Sequence, residues 1–408
     1  MLISPFFIRK PSPRPVGAPL PRGEGVCGRP QRAAPTGHRA AFAGRIPTAT
    51  GPRLTHRGAG RYNAPTPAFS GDAVRLPDKI AVMGAGSWGT ALAIAFSYAK
   101  VPVTLWAHTP ALAAKLLKYR ENVDYLPGAR LPDAVKITED IAEAARGAGA
   151  VFSMGPTQFA RDVITRFKPY LKKGAIVVNA AKGIERSSHQ TMTELAEEVL
   201  PERFHKRLSV LSGPNFAEEV SQGLPAAAVI ASRSKAAARW VQQKLSSDRL
   251  RLYTSNDPVG ADIGGAMKNI FAIAAGVLDA LGLGDNARAA LITRALVEIA
   301  RLGKAAGGKA KTFKGLSGLG DLLLSCSSPK SRNYHVGYRL GRGEKLRDIL
   351  ADMVHVAEGV PTTIAATALA ERHKIELPIT AEVFRMLYGD KSPAECVHDL
   401  MTRQLKPE

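Results

Sequence analysis

Three basic side chains of this 408-residue chain have neighbours that suit them to chemistry: Lys268, Lys182 and Arg332. At helical spacing Ile263, Met267, Ile270, Ala274, Val277 and Leu278 form an apolar stripe, and Gly264, Lys268, Ala272, Ala275 and Asp279 fall on the face beside it. A lysine among such small residues is open to an approaching ligand, and partial desolvation lowers its pKa toward the range of a proton donor and acceptor. The plainer alternative is a lysine at the edge of a packing face. Gly264-Gly265 costs about 1 kcal/mol per residue in a helix relative to alanine, so another element is expected to approach closely there. Ser331-Arg332-Asn333 combines a planar fork of donors with two neutral donors, which suits a phosphate dianion. Lys182 follows an apolar run and precedes Gly183, so its ammonium either reaches back over a strand end or stays solvated. Asn215, after Gly213-Pro214, is a helix cap or a ligand donor, and Asp321 is placed to cap the apolar helix that begins with it. Before Asp321, the glycines of Gly315-Leu316-Ser317-Gly318-Leu319-Gly320 read as a loop.

The elements that must position these groups begin at Lys79. Ile80–Met83 reads as a buried strand, Gly84-Ala85-Gly86-Ser87-Trp88-Gly89 as a tight GxGxxG turn, and the Ala-rich stretch to Phe96 as a helix. Gly84 allows the sharp turn, Gly86 leaves room for a pyrophosphate and Gly89 lets helix and strand pack closely, with the helix N-terminus facing the anion. Val101–Trp106 completes a βαβ unit. An NAD-selective site usually carries an acid just beyond such a strand, and Ala107-His108-Thr109 stands there instead. A 2′-phosphate is not repelled, so NADP(H) is somewhat favoured over NAD(H); His108 either meets the adenosine end or is simply exposed. The apolar runs 150–154, 175–179, 208–212 and 226–232 alternate with helical stretches at 158–170 and 235–245. That alternation predicts a doubly wound, Rossmann-like α/β sheet with ligands at the strands' carboxyl ends. From Pro258 onward only helices are expected, which divides the chain into a dinucleotide-binding domain, 79–258, and an all-α substrate and catalytic domain, 259–408.

The net charge of +21 resembles a nucleic-acid signature, but its distribution does not: residues 1–71 hold eleven Lys or Arg against one acid, Glu24. That Pro-, Gly- and Arg-rich stretch lacks either periodicity, so 1–78 is expected to be a disordered extension outside the fold, dispensable or a targeting segment. No nucleic-acid partner is inferred. No uninterrupted apolar run reaches the roughly 18–20 residues of a membrane span. Cys27, Cys326 and Cys396 show no disulfide or metal spacing, so no metal is expected and a reducing cytoplasm is the default.

Motifs in order carry a resemblance: GAGSWGTA (84–91), AAKGIE (180–185), SGPNFAEEV (212–220), MKNIFAIAAG (267–276), TFKGLSGLGDLLLSC (312–326), SRN (331–333) and EGVPT (358–362). From Lys79 to about Thr402 the chain resembles the NAD(P)-dependent glycerol-3-phosphate dehydrogenases of the bacterial biosynthetic type. The resemblance implies reversible reduction of dihydroxyacetone phosphate to sn-glycerol 3-phosphate for glycerophospholipid synthesis, by a cytoplasmic homodimer. It implies that Lys268 is the general acid and base. It places Lys182, Gly213, Asn215, Lys268, Asn269, Asp321, Ser331, Arg332 and Asn333 on the substrate. Gly84, Gly86, Ser87, Trp88, Gly89, His108, Lys182, Ala217, Arg332, Val356 and Glu358 are placed on the cofactor. Asn215 stands where many of these enzymes have Ser or Thr. The alternatives are a reductase of another small keto acid on the same two-part build, or a dinucleotide sensor without catalysis.

Overall fold

The strands of the main sheet are four to seven residues long, and most are apolar runs buried on both faces, the pattern of a parallel sheet covered by helices. The computed structural model describes residues 79–353, 355–405 and 407, and the expected basic extension, 1–78, lies outside them. In chain order the strands are β1 (Ile80–Met83), β2 (Val103–Trp106), β3 (Glu121–Asn122), β4 (Leu126–Arg130) and β5 (Val135–Thr138). They continue with β6 (Ala150–Ser153), β7 (Ile176–Asn179), β8 (Ser209–Ser212), β9 (Ala226–Ser232) and β10 (Leu250–Ser255). Eight of them form one sheet in the order β10-β9-β8-β7-β6-β1-β2-β5, parallel at every pairing except the antiparallel β8–β9 pair. β3 and β4 make a separate antiparallel hairpin. Alternate side chains serve opposite faces. Ile80 and Val82 pack with Leu92, Phe96 and Phe152, whereas Ala81 and Met83 pack with Val151, Phe167 and Phe204.

Three of these elements lie outside the sequence expectations: β5, β10 and the β3–β4 hairpin. β5 and β10 close the two edges of the sheet. Each interleaves apolar with polar residues: Lys136 in β5 and Arg251, Tyr253 and Thr254 in β10 are exposed, while Val135, Leu250 and Leu252 are buried. Such one-sided strands lack the continuous apolar run that marks the interior ones.

After β10 every element is helical among the described residues. Their core gathers around the helix Pro258–Ala280, with Ile263, Met267, Ile270, Phe271 and Val277 meeting Phe313, Leu322, Val336 and Leu369. Ile184, from the stretch after β7, belongs to this same core. By length and composition Pro258–Ala280 is apolar enough to cross a membrane, but 89% of its apolar window is buried within the protein. It is a core helix, and its apolar stripe is continued around most of its circumference by small residues. The anticipated close approach at its paired glycines is present. A Cβ on Gly264 would stand 2.4 Å from the Ser317 carbonyl oxygen, and one on Gly265 2.8 Å from Ser212 Oγ.

The glycine-rich stretch before Asp321 corrects the loop expectation. Leu316–Gly320 forms a π-helical turn that runs directly into the helix Asp321–Cys326. A Cβ on Gly318 would lie 2.2 Å from the Phe313 carbonyl oxygen, so the glycine permits the wide turn to fold against the chain before it.

Candidate active site

The turn between β1 and the helix Ser87–Tyr98 is built as the GxGxxG spacing requires. Gly84 has φ +125°, and a Cβ on Gly89 would sit 1.8 Å from the Gly84 carbonyl oxygen, whereas one on Gly86 would meet nothing within 4 Å. The open side at Gly86 faces the N-terminal amides of the helix, which is where a phosphate approaches. Two residues of the β3–β4 hairpin, Asn122 and Tyr125, fix the turn. Buried Asn122 donates through Nδ2 to the Ala85 carbonyl at 2.8 Å and to Thr90 Oγ1 at 2.7 Å, and Ser87 Oγ donates to the Tyr125 carbonyl at 2.7 Å. Trp88 Nε1 is buried with no partner among the described residues, a donor left for a ligand. At the end of β2, Ala107 is buried and His108 exposed, and Thr109 is committed to capping a helix by accepting from Leu112 N at 3.2 Å. The residues present therefore fit a dinucleotide, and no carboxylate stands at 107–109 to repel a 2′-phosphate.

The two lysines meet on one carboxylate. Asn179, at the end of β7, accepts from Ala181 N and donates to the Ala181 carbonyl, folding the chain into a turn that presents Lys182. Lys182 Nζ donates to the Gly213 carbonyl at 2.8 Å and to Asp321 Oδ2 at 2.5 Å. From the core helix, Lys268 Nζ lies 3.2 Å from Asp321 Oδ1 and donates to Ser325 Oγ at 2.6 Å. Side-chain exposure is 16% for Lys182, 12% for Lys268 and 1% for Asp321, so the anion is sealed and the two ammonium groups keep an accessible edge. Burial lowers the Lys268 pKa below its ordinary 10.5; Asp321 opposes that shift and the Lys182 charge adds to it. Asp321 opens its helix, but its carboxyl serves the lysines rather than a backbone cap. Cys326, beside this group, is a buried thiol pushed up to about 12 and takes no part as a thiolate.

Ser325, which the sequence did not single out, lies against the Lys268 ammonium. It follows three leucines in an apolar helix, and only the fold brings it against an ammonium. Ser325→Ala is expected to lower kcat about 10- to 100-fold, the worth of one hydrogen bond to a charged group, and Ser325→Thr to retain most of it. Steady-state kinetics of the two variants check this.

Around the lysines, amides form a continuous line. Asn269 Nδ2 donates to the Lys182 carbonyl, Asn333 Nδ2 donates to Asn269 Oδ1, and Gly359 N donates to Asn333 Oδ1, each at 2.8 Å. Both asparagines thus tie Lys182 to the start of the helix Gly359–Arg372, each with one amide proton left over. Ser331 Oγ caps the helix Arg332–Gly341 by accepting from Tyr334 N at 3.4 Å, and its own proton remains free to donate. Arg332 is exposed and makes no hydrogen bond or ion pair among the described residues. Nearby protein atoms lower its pKa, and Glu358 opposes that. Glu358 Oε1 accepts from Thr157 N at 2.8 Å, and burial raises its carboxyl pKa. Val356 is exposed. Asn215 is not the cap considered for it, since Phe216 takes that position before the helix Ala217–Ser221. Instead Asn215 Nδ2 donates to the Ala227 carbonyl at 3.0 Å, and its buried Oδ1 has no partner among the described residues. Ala217 and Trp88 pack against the same core.

Comparison with known proteins gives a concordant result. Residues 79–238 match the family described as NAD-dependent glycerol-3-phosphate dehydrogenase N-terminus, and residues 257–398 match the corresponding C-terminus. The chain is 47% identical to glycerol-3-phosphate dehydrogenase [NAD(P)+] of Citrifermentans bemidjiense, over 82% of this chain and 99% of that protein. It is 48% identical to the enzyme of the same name from Solidesulfovibrio magneticus, over 81% of this chain and all of that one. Among solved structures, glycerol-3-phosphate dehydrogenase from Coxiella burnetii superposes with a TM-score of 0.76 at 35% identity, covering 80% of this chain and 99% of that one.

Proposed function

The chain belongs to the NAD(P)-dependent glycerol-3-phosphate dehydrogenase family and reversibly reduces dihydroxyacetone phosphate to sn-glycerol 3-phosphate with NAD(P)H; from that premise we propose how its residues divide the reaction. The observation that carries the division is the pair of lysines on one sealed carboxylate, where the strands' carboxyl ends meet the helical half. We assign 79–258 to the dinucleotide and 259–408 to substrate and proton transfer.

The bound dinucleotide supplies the hydride. Gly84, Gly86, Ser87 and Gly89 hold its pyrophosphate on the helix N-terminus, and Trp88 Nε1 and Ala217 line its path. His108 meets the adenosine end, where the lack of an acid favours NADPH somewhat over NADH. Val356 and Glu358 approach from the helical half. As negative charge develops on the carbonyl oxygen, Lys268 stabilises it and delivers a proton, and in the reverse direction it accepts one. Asp321 keeps Lys268 protonated in spite of burial. Lys182, held by Gly213 and Asp321, adds a second positive charge beside substrate and cofactor. Arg332, with the Ser331 hydroxyl and the Asn333 and Asn269 amides, holds the substrate phosphate, and Asn215 offers its unused Oδ1 to a substrate hydroxyl. Binding energy at the phosphate then orients the ketone for reaction. We further propose a cytoplasmic homodimer whose product feeds glycerophospholipid synthesis.

The test is a steady-state assay of the full-length enzyme with NADH and NADPH in parallel, on dihydroxyacetone phosphate and on unphosphorylated dihydroxyacetone. Arg332→Ala is expected to cut kcat/KM for the phosphate ester about 10²- to 10³-fold and to change that for dihydroxyacetone less than about threefold. An equal loss on both substrates would remove Arg332 from the phosphate. Higher kcat/KM with NADH than with NADPH would reverse the coenzyme preference.

A further inference from the structure

His355 is a titratable side chain of the helical half that packs on a residue touching the dinucleotide turn, and it has no role in the division above. Its ring lies 5.7 Å from the Tyr125 ring, centroid to centroid, with the planes inclined at 52°. The carbonyl of that same Tyr125 accepts from Ser87 Oγ, in the first turn of the helix that begins at the GxGxxG turn. A single residue therefore separates His355 from the turn. The Arg332 guanidinium acts on His355 as well, and its charge adds to burial in holding the imidazole neutral. Arg332 has no partner among the described residues, and the acid acting on it, Glu358, is itself turned toward Thr157 N and held toward its neutral form by burial. An imidazole thus stands one residue from the turn, under the influence of an arginine with no hydrogen bond or ion pair among the described residues, and the turn itself is open at Gly86, where a Cβ would meet nothing within 4 Å.

We propose that His355 binds the dinucleotide pyrophosphate from the helical side, donating to a phosphate oxygen and taking up a proton as it does so. The inference rests on the reading above that the turn holds the pyrophosphate. In the free enzyme Arg332 disfavours the imidazolium; a phosphate anion hydrogen-bonded to the imidazole offsets that effect. By linkage, the state that binds more protons is favoured at low pH, so coenzyme affinity falls as pH rises through the bound-state titration of His355. The other ionisable groups that touch or act on His355 are Arg332, which stays charged, and the Tyr125 phenol; Glu358 follows three residues on in the chain.

The experiment measures the NADH dissociation constant of the full-length enzyme by tryptophan fluorescence quenching, from about pH 5.5 to 8.5, the interval in which histidine titrates. NADH is the probe because the 2′-phosphate of NADPH titrates in the same interval. Wild type is expected to lose about three- to tenfold in affinity between about pH 6 and 8, with proton uptake seen as a buffer-dependent binding enthalpy. His355→Gln and His355→Asn, checked for unchanged melting, are expected to bind with the wild-type affinity of pH 8 across the whole range. A wild-type constant that does not vary with pH, or variants that keep its slope, would overturn the inference while leaving the dinucleotide site intact. Absence of NADH binding at every pH would overturn the dinucleotide reading and this inference together.

Discussion

Lys268→Ala is expected to lower kcat for reduction about 10⁴-fold and to leave the NADPH dissociation constant within about threefold. The removed ammonium is both the proton donor and the charge facing the developing alkoxide, whereas the dinucleotide turn lies on another element. Lys268→Arg is expected to restore little, because a guanidinium keeps the charge and does not release the proton. The wild-type pH dependence carries a sign that identifies the group. Reduction needs the protonated amine, so its rate falls as pH rises through the Lys268 pKa; oxidation of glycerol 3-phosphate needs the neutral amine and rises across the same interval. Burial and the Lys182 charge place that interval below the ordinary 10.5. Initial rates in both directions, with single-turnover hydride transfer, check this. Near-wild-type turnover of Lys268→Ala, or limbs of the same sign in both directions, would remove Lys268 from proton transfer.

Much of this site is legible in the sequence because its parts are local. The GxGxxG turn is set by three glycines within six residues, and the Lys268 face by the 3.6-residue period of one helix. Lys182 is presented by a strand end followed by glycine. What pairs these parts was hidden. Asp321 opens an apolar helix and therefore reads as a cap, and only packing of that helix on Pro258–Ala280 turns its carboxylate toward two ammonium groups. Asn122 clamps a turn 37 residues earlier in the chain, and Ser325 looks like an ordinary polar residue in an apolar helix. Contacts between residues distant in sequence leave no periodicity to read.

The fold shows the same division. Strands buried on both faces announce themselves as apolar runs, and β1, β2, β6, β7, β8 and β9 were all expected. The edge strands β5 and β10 do not, because one side of each meets solvent and polar residues interrupt the run. The π-turn at Leu316–Gly320 reads as a loop in the sequence because glycine lowers helix propensity. Its backbone lies against Gly264 of the core helix, where a Cβ would stand 2.4 Å from the Ser317 carbonyl oxygen, and this tertiary contact overrides propensity there.

Asp321→Asn is the second large effect expected. The carboxylate is 1% exposed and lies 2.5 Å from one ammonium and 3.2 Å from the other, so its loss leaves two partly buried like charges with no anion between them. Removing one partner from such a buried arrangement costs about 3–5 kcal/mol of stability, read as a lower melting temperature. The same change removes the main influence that raises the Lys268 pKa and leaves Lys182 to lower it further. Both pH limbs, reduction and oxidation, are therefore expected to move to lower pH by about one unit or more, and kcat for reduction near neutral pH to fall about 10²- to 10³-fold. Lys182→Met added to Asp321→Asn supplies a control of opposite sign. Deleting the remaining like charge returns the limbs part of the way toward the wild-type pH, even though substrate affinity falls further. A loss of stability with unmoved limbs would make Asp321 a structural bridge and nothing more; a recovery of the limbs in the double variant shows that the carboxylate acts by setting the charge state of Lys268.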